Sequence, residues 1–283
     1  MKKSILVTYR YEIILFYSLA VISLIVSAFF DLNIDIALNN TSNFVANWFA
    51  QTGEMPASVF SFIALAFIAK CAYNKYLKAA GAVLCLGAGG YFGKWFASRL
   101  FADNDFQTGF GIIFGIGTAA VAIFVLHFIV IPEKLRKPIV LMSIVGLCAL
   151  GIQTGLINLM KMLWGRVRFR DLDGQYSQFT AWYHPNGSNG NHSFPSGHTG
   201  SAGMSYAIMF LPLISKKCRE KRFLCFILAF AFTTTVALTR LIMGAHYLSD
   251  VTVGGTIVFT CVIVGIAIYE KLAARFGYEL LSE

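Results

Sequence analysis

Two histidines, three cations, one aspartate and a Pro-Ser-Gly turn fall beside the ends of strongly apolar segments in this chain. Phe194-Pro195-Ser196-Gly197-His198 is followed by Thr239-Arg240 and then by His246-Tyr247-Leu248-Ser249-Asp250, with Lys161 and Arg168 upstream. Charged and imidazole groups are costly near lipid, so such a set is a functional-site hypothesis by default. Its chemistry is that of phosphate. A phosphoryl group in transfer carries charge on three equatorial oxygens, which fixed cations such as Lys161, Arg168 and Arg240 stabilise.

Each group has a role it can fill. His246 and Asp250, four apart, share a face if they lie on a helix. The carboxylate then accepts from one imidazole nitrogen and leaves the other free to attack phosphorus. The plainer reading is a His–Asp pair that caps the last apolar segment. Ser196 and Gly197 stand just outside a helix start, where exposed backbone N–H groups and the macrodipole favour an anion. His198 in the first turn can give a proton to a departing oxygen. Read alone, Pro-Ser-Gly is a turn and His198 a cap residue. Lys161 and Arg168, seven apart, project from one side of a short helix. Snorkelling to headgroups accounts for Arg166 and Arg170 but less well for the whole set.

The elements that must position these groups are apolar helices. The chain has 283 residues, 57% hydrophobic and 13% charged, with a mean hydropathy of +0.66. A soluble domain has roughly 25% charged residues, so this is a polytopic membrane protein whose backbone polar groups must be satisfied within helices. The fold class expected is all-α: a single integral membrane domain, residues 1–283. About eight spans are expected, near 11–30, 56–73, 79–98, 108–131, 138–160, 198–215, 223–243 and 249–269. The third is Gly-rich, which suits close helix–helix contact in lipid.

Loop charges orient the bundle. With the N-terminus cytosolic, the outer Lys and Arg residues are Lys94, Arg99, Lys161, Arg166, Arg168, Arg170 and Arg240, and the other sixteen of the 23 lie inside. That alternation obeys the positive-inside rule. It places both termini in the cytoplasm and the candidate site on the extracytoplasmic face of a cell membrane. It also explains the net charge of +9 without nucleic acid. Met1-Lys2-Lys3 and the apolar run behind it read as an uncleaved first span, with a signal peptide cleaved after Val26-Ser27-Ala28 as the alternative. Residues 31–56 form an outer loop holding Phe44, Val45, Trp48 and Phe49, either an interfacial helix or one packed on the bundle. The outer loop 161–198 holds Tyr176, Phe179, Trp182 and Tyr183 as belt residues or substrate contacts. Asn191-His192-Ser193 matches a glycosylation sequon. The six cysteines read as buried thiols without metal-ligand spacing.

The three elements resemble those of the type 2 phosphatidic acid phosphatase (PAP2) superfamily, bacterial type. Its pattern is Lys-x6-Arg-Pro, then Pro-Ser-Gly-His, then Ser-Arg-x5-His-x3-Asp. Here Phe169 stands where the family has proline and Thr239 where it has serine, with every spacing kept. The resemblance covers residues 150–260 and implies a six-helix core within the eight spans. It implies metal-free hydrolysis of a phosphomonoester or diphosphate, with no cofactor. His246 would form a phosphohistidine, Asp250 would orient it, and His198 would protonate the leaving oxygen. Lys161, Arg168, Ser196, Gly197 and Arg240 would hold the phosphate. A membrane lipid phosphate is the expected partner: undecaprenyl diphosphate, phosphatidylglycerophosphate, phosphatidic acid or a lipid A phosphate. A lipid phosphotransferase would use the same histidine, and a transporter of phosphate-bearing lipids is the alternative from outside enzymology. The transporter predicts internal repeats and charges at mid-span, which the sequence lacks.

Overall fold

The computed structural model describes residues 5–100 and 105–278, so Met1-Lys2-Lys3 and both termini lie outside the described residues. The described residues are all-helical, without strands. In chain order the helices are α1 (Ile5–Thr8), α2 (Arg10–Leu38), α3 (Phe44–Thr52), α4 (Met55–Cys71), α5 (Lys75–Leu100) and α6 (Asp105–Phe128). They continue with α7 (Glu133–Trp164), α8 (Gly197–Ala202), α9 (Lys216–Glu220), α10 (Arg222–Ile242) and α11 (Leu248–Arg275). Six stretches are long and apolar enough to cross a membrane: Arg10–Leu38, Phe44–Cys71, Phe106–Phe128, Glu133–Asp171, Arg222–Ile242 and Leu248–Arg275.

The two other expected spans are helical as well. One is α5, which carries Lys75, Lys78, Lys94 and Arg99 among its glycines. The other, which looks short in sequence, is α8 run on into an 11-residue 3-10 helix, Gly203–Leu213. A 3-10 helix rises about 2.0 Å per residue against 1.5 Å, so these few residues still reach about 30 Å.

The contacts divide the chain into two compact units. One comprises Met1–Pro56, Ala149–Met209 and Arg222–Val264, and holds every candidate site residue. Its core is aromatic. Phe16 of α2 stacks on Phe259 of α11 with centroids 3.9 Å apart, and Tyr206 and Phe226 meet Phe259 edge-on. Polar pairs bind α2 to α11 along its length: Tyr17 with Thr260 and Ser23 with Thr252, each at 2.7 Å. The buried stripe of α2 recurs about every four residues through Phe16, Ala20, Ser27, Asp31 and Asp35.

Here the first span departs from expectation. The apolar run breaks at Asp31, which suggests an end near residue 30, yet α2 continues to Leu38. At 29 residues it is about 43 Å long, more than the hydrocarbon core requires, so its final turns can carry carboxylates. Those carboxylates are buried, and Asp31 is ion-paired.

The second unit comprises Ala57–Cys148, Phe210–Lys221 and Gly265–Glu283. Its centre is Leu65, Ala66, Cys85 and Ala119, covered by Phe62, Leu86, Ile123 and Leu147. The Gly-rich segment does what its composition suggests. Gly89 and Gly93 of α5 face Gly115 and Gly111 of α6, and a methyl added at Gly93 would lie 2.0 Å from the Gly111 carbonyl oxygen. Backbones this close suit small residues at every fourth position, the lipid-phase counterpart of a hydrophobic core.

Candidate active site

The site is built where helix ends of the first unit meet. The end of α10 sets its geometry. Gly244 adopts φ +56, its N–H bonds to Leu241 O at 2.8 Å, and the Ala245 N–H bonds to Arg240 O at 3.0 Å. This is a Schellman turn, and it needs the left-handed conformation that glycine adopts freely. It delivers His246 between the last turn of α10 and the first turn of α11, where it is 3% exposed. His246 is therefore not on the helix with Asp250, as the four-residue spacing suggests. Asp250 sits in the first turn of α11, and its Oδ2 accepts the Tyr247 N–H at 3.1 Å. That is the reciprocal half of a capping box. The same carboxylate oxygen lies 3.6 Å from His246 Nδ1, so capping and imidazole contact coexist. At that length the contact is longer than a hydrogen bond; catalytic hydrogen bonds often tighten only when substrate is bound.

Burial pushes the His246 pKa down to about 4. Asp250 opposes this, while the positive charges of Lys161 and Arg168 reinforce it. The imidazole is thus neutral at physiological pH, the state in which a ring nitrogen can act as a nucleophile. Because its pKa in the folded chain lies below the unfolded value, unfolded chains bind more protons between pH 6.5 and 4. The stabilisation is complete above about 6.5 and is lost as pH falls through that window. The acid limb of kcat/KM, corrected for the substrate's own ionisation near pH 6, is expected near pH 4. A limb near 6.5 would mean an exposed imidazole.

Asp250 is fully buried and held from several directions. Arg166 Nη1 donates to Oδ1 at 2.6 Å, and Ser193 Oγ donates to Oδ2. Arg166 is not a snorkelling cation. It is 1% exposed, it also donates to Asp31 Oδ2 at 2.9 Å, to Ser249 Oγ at 2.8 Å and to Thr180 O at 2.9 Å, and its guanidinium lies 3.9 Å from the Tyr247 ring centroid. A guanidinium so desolvated must be paired, and here two carboxylates pair it. Arg170, with a half-exposed side chain, keeps its surface reading.

Lys161, in the last turn of α7, donates to His192 O at 3.0 Å. A methyl added at Gly197 would lie 3.7 Å from its Nζ, so the lysine overlooks the start of α8. Gly165 at φ +50 ends α7 and lets the outer loop fold back: a methyl there would lie 2.0 Å from Gly187 O. Arg168 has φ −74 and ψ 152, the conformation that a following proline imposes on its predecessor. Phe169 preserves it by packing, buried and stacked on Tyr176, at the head of a 3-10 turn. Arg168 Nε is buried without a hydrogen-bond partner among the described residues.

Ser196 is the N-cap of α8. Its Oγ accepts from the Thr199 N–H at 3.3 Å, and its own N–H bonds to Asp250 O at 2.9 Å. That bond ties the Pro-Ser-Gly-His turn to the start of α11, where Gly254 gives it room. His198, in the first turn of α8, places Nδ1 3.3 Å from Glu54 Oε1. Glu54 lies between α3 and α4, far from the motifs in sequence. Arg240 is 3% exposed and reaches Ala46 O of α3 at 3.4 Å. The face of α3 bearing Ala46 packs inward, while Phe44, Val45 and Trp48 are exposed, so this helix is both packed and amphipathic.

The eight residues singled out by sequence thus lie on the adjoining ends of α7, α8, α10 and α11 and the turns between them. Sequence reasoning missed Asp31, Glu54, Arg166, Ser193 and Ser249. Asp31 had a signal, being a carboxylate directly continuous with an apolar span. Ser193 stood out only as the end of a sequon. The loop aromatics divide differently from either expectation: Phe179 packs on Tyr247 and Tyr176 on Phe169, while Tyr183 is exposed.

Comparison with known proteins gives one assignment. No curated protein and no solved structure matches the chain. The family model of the PAP2 superfamily matches residues 140–274, an interval that contains all eight candidate residues and leaves out Asp31 and Glu54. Over this segment the chain is similar to the PAP2 superfamily, a family of membrane phosphatases.

Proposed function

We propose that this protein is an integral membrane lipid phosphatase that works through a phosphohistidine. The observation that carries the reading is His246, buried and neutral, beside an anchored carboxylate and within reach of the charges of Lys161 and Arg168. In the reaction proposed, the His246 nitrogen turned away from Asp250 forms a bond to phosphorus as the bond to the leaving oxygen breaks. His198, with Glu54 at its other nitrogen, gives that oxygen a proton. Water then attacks the phosphohistidine, His198 takes back a proton, and inorganic phosphate leaves with His246 neutral again. Lys161, Arg168 and Arg240, with the Ser196 hydroxyl and the Gly197 amide, hold the equatorial oxygens.

The donor set favours a route without metal. The carboxylates nearest the nucleophile are engaged by Arg166, and among the described residues no group of three or more His, Cys, Asp or Glu can hold an ion. The charge alternation supports a site on the outer face with both termini cytoplasmic. The helix-end position supports a substrate whose phosphate arrives laterally with its chains still in the bilayer. Diphosphate and monophosphate lipids should release phosphate in detergent with excess EDTA, at rates well above those for glucose 6-phosphate. Loss of activity on chelation, restored by Mg²⁺, would sink the mechanism, and equal hydrolysis of glucose 6-phosphate would sink the lipid reading. A strict phosphotransferase would release no phosphate without a second lipid.

A further inference from the structure

We infer that Asp31 is a positioning residue for Asp250, acting through Arg166 and Ser249, so that α2 completes the site from outside the family-matched residues. The inference rests on the roles proposed above for His246 and Asp250. Both oxygens of Asp31 are engaged. Oδ1 accepts the Ser249 backbone N–H at 3.0 Å, while Oδ2 accepts Arg166 Nη2 at 2.9 Å and the Ser249 hydroxyl. The Ser249 hydroxyl also accepts from Arg166 Nη1 at 2.8 Å, and that same nitrogen donates to Asp250 Oδ1. Asp31, Arg166 and Ser249 therefore close a ring, and Asp250 is the next residue along the chain. All four are buried, between 0% and 2% exposed.

Such a ring is weak ground for stability, because desolvating the charges consumes most of their attraction. What it supplies is geometry. The planar guanidinium fixes two carboxylates on two helices at once. The Asp31 bond to the Ser249 N–H also holds the backbone of the first turn of α11, and hence the rotation of Asp250 toward His246. The Ser193 hydroxyl and the Tyr247 N–H hold the other Asp250 oxygen. So anchored, the carboxylate keeps that second oxygen 3.6 Å from His246 Nδ1.

The test is a double-mutant cycle on the full chain with a lipid phosphate substrate. Asp31→Asn is expected to lower kcat about 10- to 100-fold with KM changed less than about 2-fold, as for a misplaced rather than a missing group. In an Asp250→Asn background the same change should cost less than about 2-fold, because the group it positions is already gone. Ser249→Ala keeps all three charges and removes one hydroxyl, so it decides the matter if Asp31→Asn does not fold. It should lower kcat about 3- to 10-fold and show the same collapse on Asp250→Asn. Equal effects in both backgrounds, or an effect confined to KM, would overturn the inference. His246→Ala runs alongside: wild-type rates there would overturn the histidine mechanism itself.

Discussion

His246→Ala is expected to abolish phosphate release, lowering kcat about 10⁴-fold or more, as removal of a covalent nucleophile does. The chain should still fold, because the neighbours of His246 are fixed by other bonds. The Schellman turn depends on Gly244, and Asp250 keeps its contacts with Arg166, Ser193 and Tyr247. The loss should therefore be catalytic, with the thermal midpoint unchanged. Labelled lipid phosphate quenched in alkali should leave phosphate covalently on the wild-type protein and none on the variant. His198→Ala should be severely slowed for poor leaving groups and much less so for leaving groups that need no proton. Persistent labelling of His246→Ala would remove this residue as the nucleophile.

The second large effect is on folding. Arg166→Met keeps the side-chain stem but leaves Asp31 and Asp250 buried without their shared cation. Breaking a buried pair in this way costs about 3–5 kcal/mol. The midpoint in detergent should fall by on the order of 10 °C, and little folded protein should accumulate. Arg168→Met is the useful contrast, since Arg168 is only half-buried and forms neither pair. It should lose activity at nearly the wild-type midpoint. If Arg166→Met melted within about 2 °C of the wild type, Asp31 and Asp250 would not depend on Arg166 for their burial.

These two arginines show how far the sequence could be read. Lys161, Arg168, Ser196, Gly197, His198, Arg240, His246 and Asp250 stand out as candidates because each belongs to a short motif whose spacing is local. The helices were legible because apolar runs in lipid have few other solutions. Arg166 was not, because nothing in Trp164-Gly165-Arg166-Val167-Arg168 says which arginine is desolvated. That depends on Asp31, 135 residues away. Glu54 is invisible for the same reason, its partner His198 lying beyond four intervening helices, α4 to α7. The spacing of His246 and Asp250 does not by itself put both on one helix, because four residues also separate them when a Schellman turn runs into a capping box. The end of α2 at Leu38 is hidden in the sequence because a carboxylate usually ends an apolar helix unless it has a partner.

The span between Asp31 and Ser249 also bears on how the protein is made. The two are 218 residues apart, so α2 is inserted long before its partners exist. At about 5–20 residues per second, synthesis alone separates them by roughly 10 to 40 s. During that interval a carboxylate near the end of α2 has only water and headgroups to satisfy it. Arrival of Arg166 and then of α11 locks it. Biogenesis of the site is therefore a terminal event, and a chain interrupted before α11 would be inserted and helical yet chemically inert.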